Sequence, residues 1–149
     1  MLGAFDNTLR LLALVLLAVL LGTVTAGVVS RGLGDPFVWT DEVSRFLMIW
    51  LACTGWLLAS RKRAHIRIRF FADKLPPGAR RGTELLMQAA VGLFGALTAW
   101  HGVNLVTRSL ELEALTVPIP MATMYVPIVI AGAVTAVQAA GEIVEGLRA

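Results

Sequence analysis

The chain has 149 residues, 57% of them hydrophobic and 15% charged, with a formal net charge of +3. Soluble domains carry about 25% charged residues, and four bilayer crossings of about 20 residues each would use up most of this length, which excludes a soluble catalytic domain. The basic excess does not point to nucleic acid, because eight of the 13 Lys and Arg residues lie in one stretch from Arg61 to Arg81 between apolar blocks.

The first apolar block runs from about Thr8 to Ser30. It is longer than a signal-peptide core and has no convincing small-residue cleavage site, so it reads as a retained span. Arg31-Gly32-Leu33-Gly34-Asp35-Pro36 then breaks the helix. Asp35 is expected as an N-cap, with Pro36 at the first helical position. The second block, from about Pro36 to Ser60, is amphipathic in its first turns and uncharged from Phe46 to Ala59.

In the cationic connection, Ala64, Ile68, Phe71 and Leu75 fall at helical spacing. This suits a short amphipathic helix on the membrane surface. Ile66-Arg67-Ile68-Arg69 also alternates like a strand, but a strand here would have no partner. Pro76-Pro77-Gly78 is expected to end that helix. The third block runs from about Thr83 to Arg108 and carries Gln88, His101 and Asn104. Val117-Pro118-Ile119-Pro120 cannot be regular helix, because proline lacks a donor and restricts its predecessor. The fourth block runs from about Met121 to Gly146. The expected fold is an all-α integral membrane protein, one domain over 1–149. It has four transmembrane helices (about 8–30, 36–60, 83–108 and 121–146) and a short interfacial helix between the second and third. The positive-inside rule puts the Arg61–Arg81 loop and both termini in the cytoplasm, with Trp39 and Tyr125 at the opposite interface.

Few residues could carry chemistry. Asp41 and Glu42 stand four and three residues before Arg45, so either acid can pair with it on a helix. They also complement the helix dipole. A second reading has Asp41, Glu42 and Arg45 docking a partner, since charges within spans face protein or water. His101 and Asn104 stand on one side of the third block and read chiefly as polar groups satisfied by a neighbouring helix. Small residues recur at four-residue spacing in Gly22/Ala26, Gly95/Ala99 and Gly132/Ala136/Ala140, a pattern that lets helices approach closely. The single cysteine, Cys53, allows no intrachain disulfide. No Walker A loop, HExxH or Cys/His ligand cluster is present, so no cofactor or metal is expected.

Three function classes follow. A stand-alone small four-helix carrier needs a membrane-embedded acid, and the acids of the second block lie near its mouth. A haem anchor needs two facing histidines, and only His101 lies within a span. An accessory subunit needs only packing faces, and fits best.

Trp39-Thr40-Asp41-Glu42-Val43-Ser44-Arg45, followed by Trp50 and Gly55, resembles the second-helix signature of the small membrane subunit of TRAP (tripartite ATP-independent periplasmic) transporters, the DctQ family. Arg61 and His65-Ile66-Arg67-Ile68 resemble the basic loop that follows it. Val117-Pro118-Ile119-Pro120, with Tyr125 and Pro127, resembles the start of its fourth helix. Arg69 departs from the acidic residue expected in many members. The resemblance implies a non-enzymatic subunit of the bacterial inner membrane. Its partners would be a large membrane subunit holding the substrate and sodium sites, and a periplasmic binding protein delivering an organic acid. Uptake would be driven by an ion gradient, with this chain bracing the fixed scaffold of the large subunit. Trp39, Asp41, Glu42, Arg45, Trp50 and Gly55 are the candidate partner contacts. Arg61, Lys62, Arg63, His65, Arg67 and Arg69 are candidates for holding phospholipid headgroups.

Overall fold

The computed structural model describes residues 2–61 and 77–148. These residues form four helices: α1 (Leu2–Gly32), α2 (Trp39–Arg61), α3 (Pro77–Arg108) and α4 (Ala122–Arg148). Each contains a stretch long and apolar enough to cross a membrane: Asp6–Gly32, Trp39–Ser60, Gly82–Arg108 and Ala122–Glu145. The expected interfacial helix falls on 62–76, outside the described residues.

The helices pack in series, α1 on α2, α2 on α4, and α4 on α3. The result is an open row in which only α2 and α4 have substantial neighbours on two sides. Apolar side chains face outward along every helix, among them Leu14, Met48, Leu93 and Val137. That is the arrangement expected where hydrocarbon, and not water, surrounds the protein.

The tightest contact is between α3 and α4, where the small residues lie. A Cβ added at Gly95 would sit 2.8 Å from the Gly132 carbonyl oxygen and 2.9 Å from the Ala136 nitrogen. One added at Gly132 would sit 2.9 Å from both the Ala99 nitrogen and the Gly95 carbonyl oxygen. The two backbones therefore touch directly, as small-residue spacing permits. Gly95 is the middle residue of the α3 span, and Gly132 lies close to the middle of the α4 span. The crossing thus lies midway along the α3 and α4 spans. The Gly22/Ala26 pair makes no equivalent contact, for a Cβ at Gly22 would meet nothing within 4 Å.

The break after α1 differs in detail from the expectation. Gly34 has φ +83°. Its N–H donates to the Arg31 carbonyl (3.2 Å), and that of Asp35 to the Ser30 carbonyl (3.2 Å). This is a Schellman closure with glycine in the left-handed position. Asp35 therefore belongs to the end of α1 and does not cap α2. The next residues are also tied back. The Phe37 N–H donates to Ser30 Oγ (3.1 Å), and the Thr40 hydroxyl donates to the Phe37 carbonyl (2.6 Å). Helix α2 consequently starts at Trp39, three residues later than Pro36. Helix α3 starts earlier than expected, at Pro77. Proline suits a first helical turn, where its missing N–H would have had no partner.

Overpacking of this kind costs about 1–3 kcal/mol. Gly95→Val should therefore lower the midpoint of detergent-driven unfolding clearly, while Gly22→Val should leave it nearly unchanged. Equal effects of the two would contradict the crossing.

Candidate functional site: a clamped hairpin at the head of α2

The connection from α3 to α4 is folded. Glu113 and Pro120 form an isolated antiparallel bridge. It is flanked by Ala114 N–H to the Ile119 carbonyl (3.0 Å) and Met121 N–H to the Leu112 carbonyl (2.8 Å). Both prolines take positions that need no donor, as proline at a strand edge must. The base of the hairpin also serves α4, whose first N–H, at Ala122, donates to the Ser109 carbonyl (3.3 Å).

The tip is held from across the molecule. The Glu42 carboxylate, in the first turn of α2, accepts the Leu115 N–H (2.9 Å) and the Thr116 N–H (2.8 Å). It also accepts the Thr116 hydroxyl. Two successive backbone N–H groups thus cup one carboxylate, a small anion nest. Leu115 itself is 93% exposed at the tip. Beside the clamp, Asp41 pairs with Arg31 from the end of α1. Both are exposed, so the pair contributes little energy but ties the two connections to one helix end.

Deeper along α2, the Trp50 indole N–H donates to the Thr123 carbonyl (3.2 Å). Pro127, inside α4, explains this bond. A helical carbonyl accepts the N–H four residues on, and for Thr123 that residue is a proline without one. Trp50 supplies the missing donor at the start of the α4 span. Near the other end of α2, Ser60 Oγ donates to Gln138 Oε1 (2.8 Å). Glu42, Trp50 and Ser60 project from one side of α2, since these spacings bring them within about 80° at 3.6 residues per turn.

The structure therefore divides the residues singled out by sequence. Glu42 and Trp50 are committed to contacts within the chain. The local Glu42–Arg45 and Asp41–Arg45 pairings are not formed. Arg45 is exposed and, among the described residues, no ion pair holds it. Gly55 is exposed with open space around it. Arg45 and Gly55 share the outward side of α2 with Met48, Ala52 and Ala59, all exposed. Trp39 is half-exposed and stacks on Phe37, ring centroids 6.1 Å apart. Lys62, Arg63, His65, Arg67 and Arg69 lie outside the described residues, as does the side chain of Arg61. Sequence reasoning missed Thr116, Thr123, Ser60 and Gln138. Pro127 was the usable signal for Thr123, because it orphans one identifiable carbonyl.

Two results are expected. Glu42→Ala should speed amide exchange at Leu115 and Thr116 by about tenfold or more, since exchange reports local opening, while Arg45→Ala should not. Trp50→Phe should cost roughly 1 kcal/mol, within the range of interhelical hydrogen bonds in membranes. In a Pro127→Ala background, where residue 127 can serve the Thr123 carbonyl itself, the same change should cost clearly less. Equal costs in a double-mutant cycle would refute the shared carbonyl.

Comparison with known proteins agrees with this architecture. Residues 20–149 match the family described as tripartite ATP-independent periplasmic transporters, DctQ component. The chain is 33% identical over 87 residues to the sialic acid TRAP transporter small permease protein SiaQ of Vibrio cholerae, covering 58% of this chain and 50% of that protein. It is 31% identical over 136 residues to the ectoine TRAP transporter small permease protein TeaB of Halomonas elongata, covering 85% and 70%. It is also 26% identical over 90 residues to the isethionate TRAP transporter permease protein DctMQ of Oleidesulfovibrio alaskensis, covering 60% of this chain and 14% of that protein. The chain thus spans half the length of the SiaQ relative and a small part of the DctMQ one. With its four membrane-crossing helices and its match over residues 20–149, the chain belongs to the DctQ family of TRAP transporter small permease subunits, which are membrane components and not enzymes.

Proposed function

We propose that this chain acts as a brace for the large permease subunit of an ion-gradient-driven uptake system. The observation that carries this reading is the open row of helices. A helix bundle closed on itself would bury its faces internally. Here most of the apolar surface of α1 and α3 stays uncovered, while the relative positions of the helices are held by the Gly95–Gly132 crossing and the α2 contacts. A rigid part with uncovered faces suits a scaffold against which another domain moves.

In this reading the basic connection 61–81 and both termini are cytoplasmic. Arg61, Lys62, Arg63, His65, Arg67 and Arg69 rest on anionic headgroups, at about 1 kcal/mol per basic residue near the surface. The clamped hairpin then stands at the periplasmic face, where a binding protein delivers the substrate. The outward side of α2, with Arg45 and Gly55, and the stacked Trp39 contribute to partner docking. Asp41, Glu42 and Trp50 act there indirectly, by fixing the head of α2 and the hairpin. The substrates named for the relatives differ from one to another (sialic acid, ectoine, isethionate). Substrate choice is therefore assigned to the larger subunit and the binding protein, and organic acids are too narrow a class to assign to this chain. Sodium coupling is likewise placed on the large subunit.

Reconstituted vesicles test this. The large subunit of the same system with its binding protein should take up substrate under an imposed ion gradient only when this chain is present. Uptake by this chain alone would instead establish a stand-alone carrier. Full uptake by the large subunit without it would remove the bracing role.

A further inference from the structure

The two outer helices of the row present different chemistry to their surroundings. On α1, the only polar side chains from Leu11 to Val29 are threonines, and the exposed pair satisfies itself. Thr23 Oγ1 donates to the Val19 carbonyl and Thr25 Oγ1 to the Leu21 carbonyl, both at 2.8 Å. The rest of its open surface is aliphatic, with Leu11, Leu14, Leu21 and Val28 exposed. Lipid chains solvate such a face completely.

Helix α3 is different. Its side turned away from α4 exposes Leu86, Leu93, Leu97, Trp100, His101 and Asn104. The Asn104 amide donates back to the Trp100 carbonyl (3.1 Å), which leaves its own oxygen open. His101 is exposed, and no hydrogen bond holds it among the described residues. Its depth follows from centring the α3 span on the bilayer, which puts the Gly95 crossing at the middle. His101 stands six residues beyond Gly95, about 9 Å along the axis at 1.5 Å per residue. With a hydrocarbon core about 30 Å thick, the imidazole lies roughly 6 Å inside its edge. Arg108, at the helix end, can reach headgroups along its flexible stem, but an imidazole on one methylene has no such reach. A ring N–H and a ring nitrogen at this depth need protein partners, because lipid chains provide none.

We infer that the side of α3 turned away from α4 docks a transmembrane helix of the large permease subunit, and that His101 exchanges a hydrogen bond with a polar group on that helix. The inference rests on the subunit reading above and adds to it a second docking face, on α3, in addition to the outward side of α2. A helix of the large subunit is the occupant, and not a second copy of this chain, because the stretch matched in the isethionate permease protein is part of one longer permease polypeptide. The match covers 14% of that protein, so in that polypeptide the matched stretch is joined covalently to a much longer remainder. The polar docking face on α3 also leaves α1, with its self-satisfied threonines, as the lipid side.

The test is photo-crosslinking in cells that co-express the large subunit of the same system. A benzophenone side chain is placed at Leu93 or Leu97 on α3, and at Leu14 or Leu21 on α1. Adducts with the large subunit from α3, several-fold above those from α1, are expected. Adducts from α1 alone, or α3 adducts only to a second copy or to lipid, would overturn the face while leaving the subunit reading intact. Absence of the large subunit from a pull-down of the unsubstituted chain would overturn both. The hydrogen bond is tested separately. His101→Leu should lower recovery of the large subunit in mild detergent by about three- to twentyfold, the span of interhelical hydrogen-bond energies in membranes. His101→Gln, which keeps a donor and an acceptor, should restore much of it. Full recovery with His101→Leu would refute the role of the imidazole.

Discussion

One seam, between α2 and α4, joins the two halves of this molecule, and polar groups on a single side of α2 hold it. Between helices in lipid there is no hydrophobic driving force, so association relies on packing and on polar groups that hydrocarbon cannot satisfy. Glu42, Trp50 and Ser60 meet that condition at three heights, on the hairpin tip, on the orphaned Thr123 carbonyl and on Gln138. Sliding α2 along α4 would break all three at once. The register of the row is therefore set by hydrogen bonds, although apolar surface makes up most of each helix. The hairpin depends on the same register, since its tip is held only where the head of α2 reaches it.

The seam between α3 and α4 works by the opposite means. It has almost no side chain to interpose at Gly95 and Gly132, and so it gains from direct backbone contact. On α2 the residues that approach α4 include Trp50, whose indole N–H reaches the Thr123 carbonyl. Trp56 likewise reaches past to Phe94 on α3, ring centroids 6.0 Å apart. Small residues give a rigid pair, and large polar-tipped residues give a specified distance. Pro127 connects the two strategies. It removes a donor from α4 and thereby creates one open acceptor, which a correctly placed α2 fills.

How far this could be read from the amino acids depends on the range of each interaction. The four apolar blocks were legible because span length is dictated by bilayer thickness, and the proline-rich run before α4 because proline restricts its neighbours locally. The partner of Glu42 was not legible. Helical spacing offered Arg45, three residues away, whereas the true partners stand 73 and 74 residues off in the chain. Asp35 misled in the same local way. It has the composition of an N-cap, but its backbone N–H is spent closing α1. Of the small-residue pairs, Gly95/Ala99 and Gly132/Ala136 meet each other and Gly22/Ala26 does not. Spacing alone cannot separate them, because a groove is functional only when another groove faces it.

The open row also bears on how such a chain can be stable at all. A polypeptide that covers only part of its own apolar surface relies on whatever surrounds it, and any partner that binds only the folded row adds to its stability by mass action. On the proposed reading that partner is the large permease subunit. The features that look expensive in isolation then have a common reason. Among the described residues, an arginine without an ion pair on α2 and an imidazole without a hydrogen bond on α3 are poorly served by lipid, and a leucine raised on a clamped tip is poorly served by water. Each is also positioned by an interaction within the chain: Arg45 by the head of α2, His101 by the glycine crossing, Leu115 by the Glu42 carboxylate. Internal bonds go where position matters, and outward groups remain free where recognition would occur. α1, by contrast, holds its threonines satisfied from Leu11 to Val29, and that stretch needs nothing from a neighbour but hydrocarbon.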